Sequence, residues 1–130
     1  MNHNSISYQH VSIAEVFRLP ADSLFRLYGI VDQFVTPFIV RVRALLPDVE
    51  HNVFEHYIRV ALSSCKKVVV VGTYYVLFCC RNRHGSFHPT AGRIHAQLYN
   101  VIPLNPMDVP NIQYAYRLRR SVGRYVKQSD

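Results

Sequence analysis

Leu24-Phe25-Arg26-Leu27-Tyr28-Gly29-Ile30-Val31-Asp32-Gln33-Phe34-Val35-Thr36-Pro37-Phe38 is the stretch on which the fold of this chain turns. Leu24, Arg26, Tyr28, Ile30 and Asp32 fall on one face of an extended chain, and Phe25, Leu27, Val31 and Val35 on the other, so the spacing predicts one long strand. A mid-strand glycine weakens pairing unless the backbone has to curl or admit a close neighbour, and curling is what a small barrel requires of its first strand. Pro37 has no amide proton for a ladder, so the strand ends or changes partner there.

The neighbouring stretches extend the pattern. Phe38–Leu46 alternates Val40, Val42 and Ala44 against Arg41 and Arg43 until Pro47-Asp48 breaks it, and the two runs form a hairpin. His51–Leu62 fits helical spacing (Phe54, Tyr57, Ile58, Ala61) and strand spacing (Phe54, His56, Ile58, Val60); strand is the preferred assignment. Val68–Cys80 is the most β-prone run, apolar on both faces, as in a central strand or one covered by a helix or a partner. Arg81–Gly92 is a loop by its Gly, Pro, Ser and Thr content, and Arg93–Ile102 alternates as a last strand. Upstream, Asn2–His10 is a polar, loosely held arm. Ser12 and Glu15 have capping-box spacing over Val11–Phe17, and Leu19–Ser23 is a turn into the first strand. From Asp108 the period changes: Ile112, Ala115, Leu118, Val122 and Tyr125 mark an amphipathic C-terminal helix, capped by Asp108 with Pro110 in its first turn.

Composition narrows the function. The 130 residues suffice for a single domain, with a barrel over 1–107 and the helix over 108–130 packed on or beside it. The longest uncharged apolar run, Val68–Cys80, has 13 residues, short of the roughly 20 that span a bilayer. The first residues carry no Lys or Arg ahead of an apolar block, so no signal peptide is expected and the compartment is cytosolic or nuclear. Cys65, Cys79 and Cys80 are an odd count without a C-x-x-C pair, which favours buried thiols over disulfides or a zinc site. The acids form no close catalytic pair, and there is neither a phosphate-cradling glycine loop nor a nucleophile motif; no enzyme and no cofactor are expected. The net charge of +7 is unevenly placed. Residues 1–50 hold four Arg and five Asp/Glu, and residues 51–130 hold eleven Lys/Arg and three Asp/Glu. A basic second part suits a polyanion or an acidic protein surface.

Four or five strands with curling glycines, a long loop before the last strand and a closing helix resemble a five-stranded OB-fold, a Greek-key barrel whose loops grip single strands. Ile13-Ala14-Glu15-Val16, then Leu27-Tyr28-Gly29-Ile30-Val31 with Phe34 and Pro37, resembles the opening of the first OB-fold of the protection-of-telomeres family. Lys67-Val68-Val69-Val70 through Gly85, then Gly92 and Ile94–Tyr99, is similar to that family's fourth-to-fifth-strand stretch. The resemblance implies binding of single-stranded telomeric DNA, a nuclear location at chromosome ends and no chemistry. Single-strand readers combine aromatic platforms with a basic groove. The residues it points to are Phe34 after the Tyr-Gly strand, Tyr74 or Tyr75 as a further platform, and the loop residues Arg81, Arg83, His84, Phe87 and His88.

Departures from the family pattern open a second possibility. Asp32 and Val35 stand where the family tends to carry lysines, Cys79 stands at its late tyrosine, and its third strand has no clear counterpart in His51–Ser64. The scaffold then serves as a protein-interaction subunit of a telomere or genome-maintenance complex. Leu118, Val122 and Tyr125, beside the basic stripe Arg117, Arg120 and Arg124, are the expected partner-binding residues, through which the helix forms a homo- or heterodimer.

Overall fold

The structure, a computed structural model, describes residues 7–45, 57–83 and 85–115. Gln9–His10 (β1) leads into a one-turn helix, Ile13–Val16 (α1). Ser12 caps that turn, its Oγ accepting the Glu15 amide at 3.3 Å and donating to Glu15 Oε1 at 3.2 Å, as the spacing predicts. The strands that follow are Leu24–Thr36 (β2), Ile39–Ala44 (β3), Tyr57–Ala61 (β4) and Tyr74–Arg81 (β5). A hairpin of Phe87–His88 (β6) and Gly92–Arg93 (β7) precedes the last strand, Ala96–Pro103 (β8). A 3-10 turn, Pro106–Asp108, is capped by the Asn105 side chain and runs into helical residues 109–115.

The main sheet has the order β1-β2-β3-β4-β8-β5, and β5 also pairs with β2, which closes five strands into a barrel. All neighbours among the five are antiparallel except β4 and β8, which meet only at Val60↔Ala96 and Ala61↔Gln97. That is the OB-fold with a closing helical segment. One short parallel contact leaves the barrel partly open there. The interior holds Phe25, Leu27, Ile58, Leu77 and Leu98, all fully buried, each on the inward phase of a period-2 pattern. Gly29 pairs with Ala44 on one side and Tyr75 on the other. A Cβ there would stand 2.7 Å from Val42 Cγ1 and 2.9 Å from the Arg43 carbonyl, so this glycine is needed for close approach where the barrel wall folds over.

Four expectations change. Val68–Thr73 is not strand: β5 begins at Tyr74, because Gly72 turns with φ of 87° and the chain closes on Val31 through Gly72 N–H to Val31 O (2.7 Å). The supposed loose arm contributes Gln9–His10, which pair in parallel with Phe25–Arg26. Arg81 ends β5 and does not open the loop, and the loop contains the β6–β7 hairpin. The cap before the C-terminal helical segment is Asn105, not Asp108. Val109 is buried, and the Gln113 side chain donates to the Leu45 carbonyl at 2.8 Å, which ties the start of that segment to β3. His51–His56 and residues 116–130 lie outside the described residues.

Candidate nucleic-acid interface

On β3 and β4, Val40, Val42, Ile58 and Val60 point into the barrel, so the residues between them point out. The register sets them directly opposite one another: Ile39 with Ala61, Arg41 with Arg59, Arg43 with Tyr57. Like charges placed opposite on one sheet face cost stability. Two contacts relieve the cost here. Asp32 takes Arg41 in a two-pronged pair, with both N–O distances 2.9 Å, and lies 3.6 Å from Arg43. That hydrogen bond, against the cost of burial, holds the Arg41 guanidinium above its ordinary pKa. The Arg41 and Arg59 guanidiniums both lie over the Tyr57 ring, at 5.1 and 5.4 Å from its centre. Three arginines against one carboxylate leave the face positive. Arg59 Nε is buried and has no hydrogen-bond partner among the described residues.

Two loops flank the face. The turn after β2 lifts Phe38, 69% exposed, at the Ile39 end, and the β6–β7 hairpin lifts Phe87, 66% exposed, with Arg93 stacked over its ring at 5.6 Å. Between them lies an open groove of about 470 Å³, whose walls include Phe38, Phe87, Ser63, Asn82 and Gln97. Ile39, Ala91 and Ile94 form a small separate core beneath the hairpin, with Val35 and Ala61 against it. The His88 ring Nδ1 accepts the Thr90 and Ala91 amides, both at 3.2 Å, which ties the turn and leaves the far edge of the ring at the groove.

The base of the hairpin is anchored by a buried polar knot. Arg81 is 4% exposed: its Nε donates to the Val16 carbonyl at 3.1 Å and its Nη1 to the His95 carbonyl at 2.6 Å. Burial, and then Arg93, lower its pKa. His95 Nδ1 accepts the Arg59 amide proton at 3.0 Å while the His95 amide donates to the Arg59 carbonyl at 2.9 Å, joining β4 to the approach to β8. An amide N–H only donates, so Nδ1 is unprotonated and the ring is neutral. Burial, with Arg81, Arg59 and Arg93 around it, pushes the His95 pKa down to about 4.

The residues singled out from the sequence scatter over this frame. Phe87 and His88 line the groove, and Arg83 is exposed on the same loop. Arg81 is withdrawn from any phosphate, because its guanidinium is spent on two internal carbonyls. Tyr75 is 3% exposed and its hydroxyl accepts the Val70 amide at 3.0 Å, so it is a core residue and no stacking platform. Tyr74 is half-buried at the start of β5, opposite Ile30 on the far wall of the barrel. Phe34, 40% exposed, pairs with Val40 and so shares the barrel-inward side, away from the Arg41 face. A register shift between Val31 and Gln33 produces that change. His84, Arg117, Leu118, Arg120, Val122, Arg124 and Tyr125 lie outside the described residues. Burial pushes the Cys79 thiol far above its usual range, in keeping with a structural cysteine.

Sequence reasoning did not name Arg41, Arg43, Tyr57, Arg59 and Phe38 as site residues. A signal for the first four was present, since each alternates with a buried valine or isoleucine, and on half-buried strands the alternates face outward.

No family model matches the sequence, and no curated protein matches it. Solved structures do match the fold. The telomere capping protein Ten1 from Saccharomyces pombe superposes with a TM-score of 0.61 at 10% identity, covering 88% of this chain and 99% of that one. A chain of the S. pombe Stn1-Ten1 complex gives 0.61 at 10% identity, over 90% and 95%. A chain of yeast RPA bound to single-stranded DNA gives 0.52 at 12% identity, over 78% of each. At such identities the likeness establishes the OB-fold, and the site has to be argued from this chain's own residues.

Proposed function

We propose that this chain is a telomere-type single-stranded DNA-binding OB-fold protein that acts in the nucleus at chromosome ends, as a binder and not an enzyme. The observation that carries this is the face formed by Arg41, Arg43, Tyr57 and Arg59 between two exposed phenylalanines, Phe38 and Phe87. Guanidiniums take phosphates and aromatic rings take bases, whatever the sequence of the strand. The structural likeness to a telomere capping protein and to RPA bound to single-stranded DNA supports the same assignment. Polarization titrations with single-stranded and duplex oligonucleotides at rising salt test it. Single strands bind more tightly than duplex, and affinity falls as salt rises because counterions are released. Equal affinity for duplex, or no binding at low salt, would overturn it.

A second role, as a protein-interaction subunit of a telomere or genome-maintenance complex, is favoured by one observation. Opposite the basic face, Tyr28, Ile30, Tyr74, Val76 and Phe78 line the outside of β2 and β5 only half-buried, and Ile102 on β8 is 47% exposed. The Stn1-Ten1 complex, in which a chain of this fold has a partner, supports it. In this role the C-terminal segment adds to the contact, and deleting residues 117–130 leaves a folded barrel that no longer dimerises or holds its partner. Unchanged mass and partners, or a melted barrel, would dispose of that part.

A further inference from the structure

One carboxylate sets how much of the charge on the β3–β4 face is free. We infer that Asp32 is a competitor built into that face: it fills the guanidinium fork that a phosphate of the strand needs, and the strand binds by taking Arg41 from it. This rests on the single-strand assignment above.

The backbone puts the acid there. In the β2–β3 ladder Val31 pairs with Val42 and Gln33 with Arg41, so Asp32 is the extra residue of a bulge and has no partner of its own in that ladder. A bulge re-aims side chains, and this one brings the Asp32 carboxylate onto Arg41. Asp32 Oδ1 accepts from Arg41 Nε and Oδ2 from Arg41 Nη2, both at 2.9 Å. Two parallel bonds of this kind are also how arginine takes a phosphate. Oδ2 lies 3.6 Å from Arg43 Nε as well, so the one acid draws on two of the three arginines. Its side chain is 16% exposed, against 33% for Arg41 and 58% for Arg43. The acid is therefore the deeper partner, and a strand can reach both guanidiniums without moving it. Arg59 has no ion pair among the described residues and meets the strand with its charge whole.

An ion pair near the surface is worth little in water, so a phosphate can take the guanidinium over. The carboxylate stays behind, under the arginines, and repels the phosphate. The face then holds phosphates less tightly than its three arginines would alone. Binding through phosphates only is kept weak, and more of the affinity falls to the rings.

The test is polarization titration of one oligonucleotide, single-stranded and as a duplex, with the full chain at several salt concentrations. Asp32→Asn keeps the shape of the side chain and removes its charge. It binds the single strand about two- to fivefold more tightly than the wild-type protein, the worth of an exposed ion pair. Its salt slope steepens by about 0.7, the share of one further charge on a single strand. Duplex affinity rises by a similar factor. Asp32→Glu, which restores the charge, loses most of the gain. In an Arg41→Gln background the gain from Asp32→Asn shrinks, because the guanidinium in contention is gone. Equal or weaker binding by Asp32→Asn makes the acid a mere support for Arg41 and overturns the competition, leaving the single-strand assignment standing. A gain that survives Arg41→Gln undiminished does the same. Should Asp32→Asn fail to fold, the carboxyl carbon resonance of Asp32 in the wild-type protein decides: it shifts as the strand is added, since the carboxylate loses its guanidinium, and a resonance that stays put while the strand binds overturns the proposal. No single-strand binding by either protein at low salt removes the assignment and the competition together.

Discussion

Acid should loosen this barrel at one histidine. His95 stands neutral in the fold because its Nδ1 accepts the Arg59 amide, its ring edge meets Phe17, and three arginines surround it. In the unfolded chain the same ring titrates near its ordinary value, 6.5, whereas in the fold it titrates at about 4. Between those values the unfolded chain carries a proton that the folded chain refuses. Stability is therefore full above about pH 6.5, falls as the pH drops through that window, and levels off below about pH 4. The gap of about 2.5 units corresponds to about 3 kcal/mol, a large share of the stability of a small domain. Urea unfolding at pH 7, 6, 5 and 4 measures it, with His95→Asn as the partner experiment. The asparagine Oδ1 stands where Nδ1 stands and still accepts the Arg59 amide, but it does not titrate. The variant starts less stable at pH 7, having lost the packing on Phe17, and its deficit shrinks by about 3 kcal/mol on the way to pH 4. Parallel stability curves for the two proteins across that range would refute the reasoning, since the lost proton site would then have no energetic consequence.

Removing charge and removing rings should separate cleanly on the β3–β4 face: Arg41→Ala with Arg43→Ala lowers the salt slope of single-strand binding by about 1–2, read from titrations at several salt concentrations. Tyr57→Ala costs about 1–3 kcal/mol of affinity with little change in slope, in the same titrations. Arg81→Ala, by contrast, orphans the Val16 and His95 carbonyls and lowers stability by roughly 1–3 kcal/mol for each, with no effect on the salt slope of protein that still folds; denaturant melts and titrations together check this. Gly29→Ala drives a methyl to within 2.7 Å of Val42 Cγ1 and 2.9 Å of the Arg43 carbonyl, at a cost of about 1–3 kcal/mol measurable as a lower Tm.

What could be read along the chain was what local chemistry decides. Period-2 alternation located β2, β3 and β4, Ser12 and Glu15 located α1, and Pro37 marked the end of β2, because each signal lies within a few neighbouring residues. The mid-strand glycine was legible as a place of curvature or close approach, and the barrel uses it for the latter. Which residues form the site was a different kind of question. Arg81 looked like a loop arginine, yet its place at the inner end of β5 turned it toward two carbonyls that come from residues 16 and 95. Phe34 looked like a platform, and one register shift put it on the other face from Arg41. Tyr75 was one of two adjacent tyrosines until pairing with β2 and β8 sent it inward. The start of β5 at Tyr74 was set by Val31, a partner distant in sequence, against a preceding run of valines whose propensity alone would have begun the strand earlier. Pairing, register and closure join residues far apart in the chain, and a side chain's exposure follows from them. The sequence determined the strands, the first helical turn and the positive charge; only the closed barrel decided which of those charges and rings face a ligand.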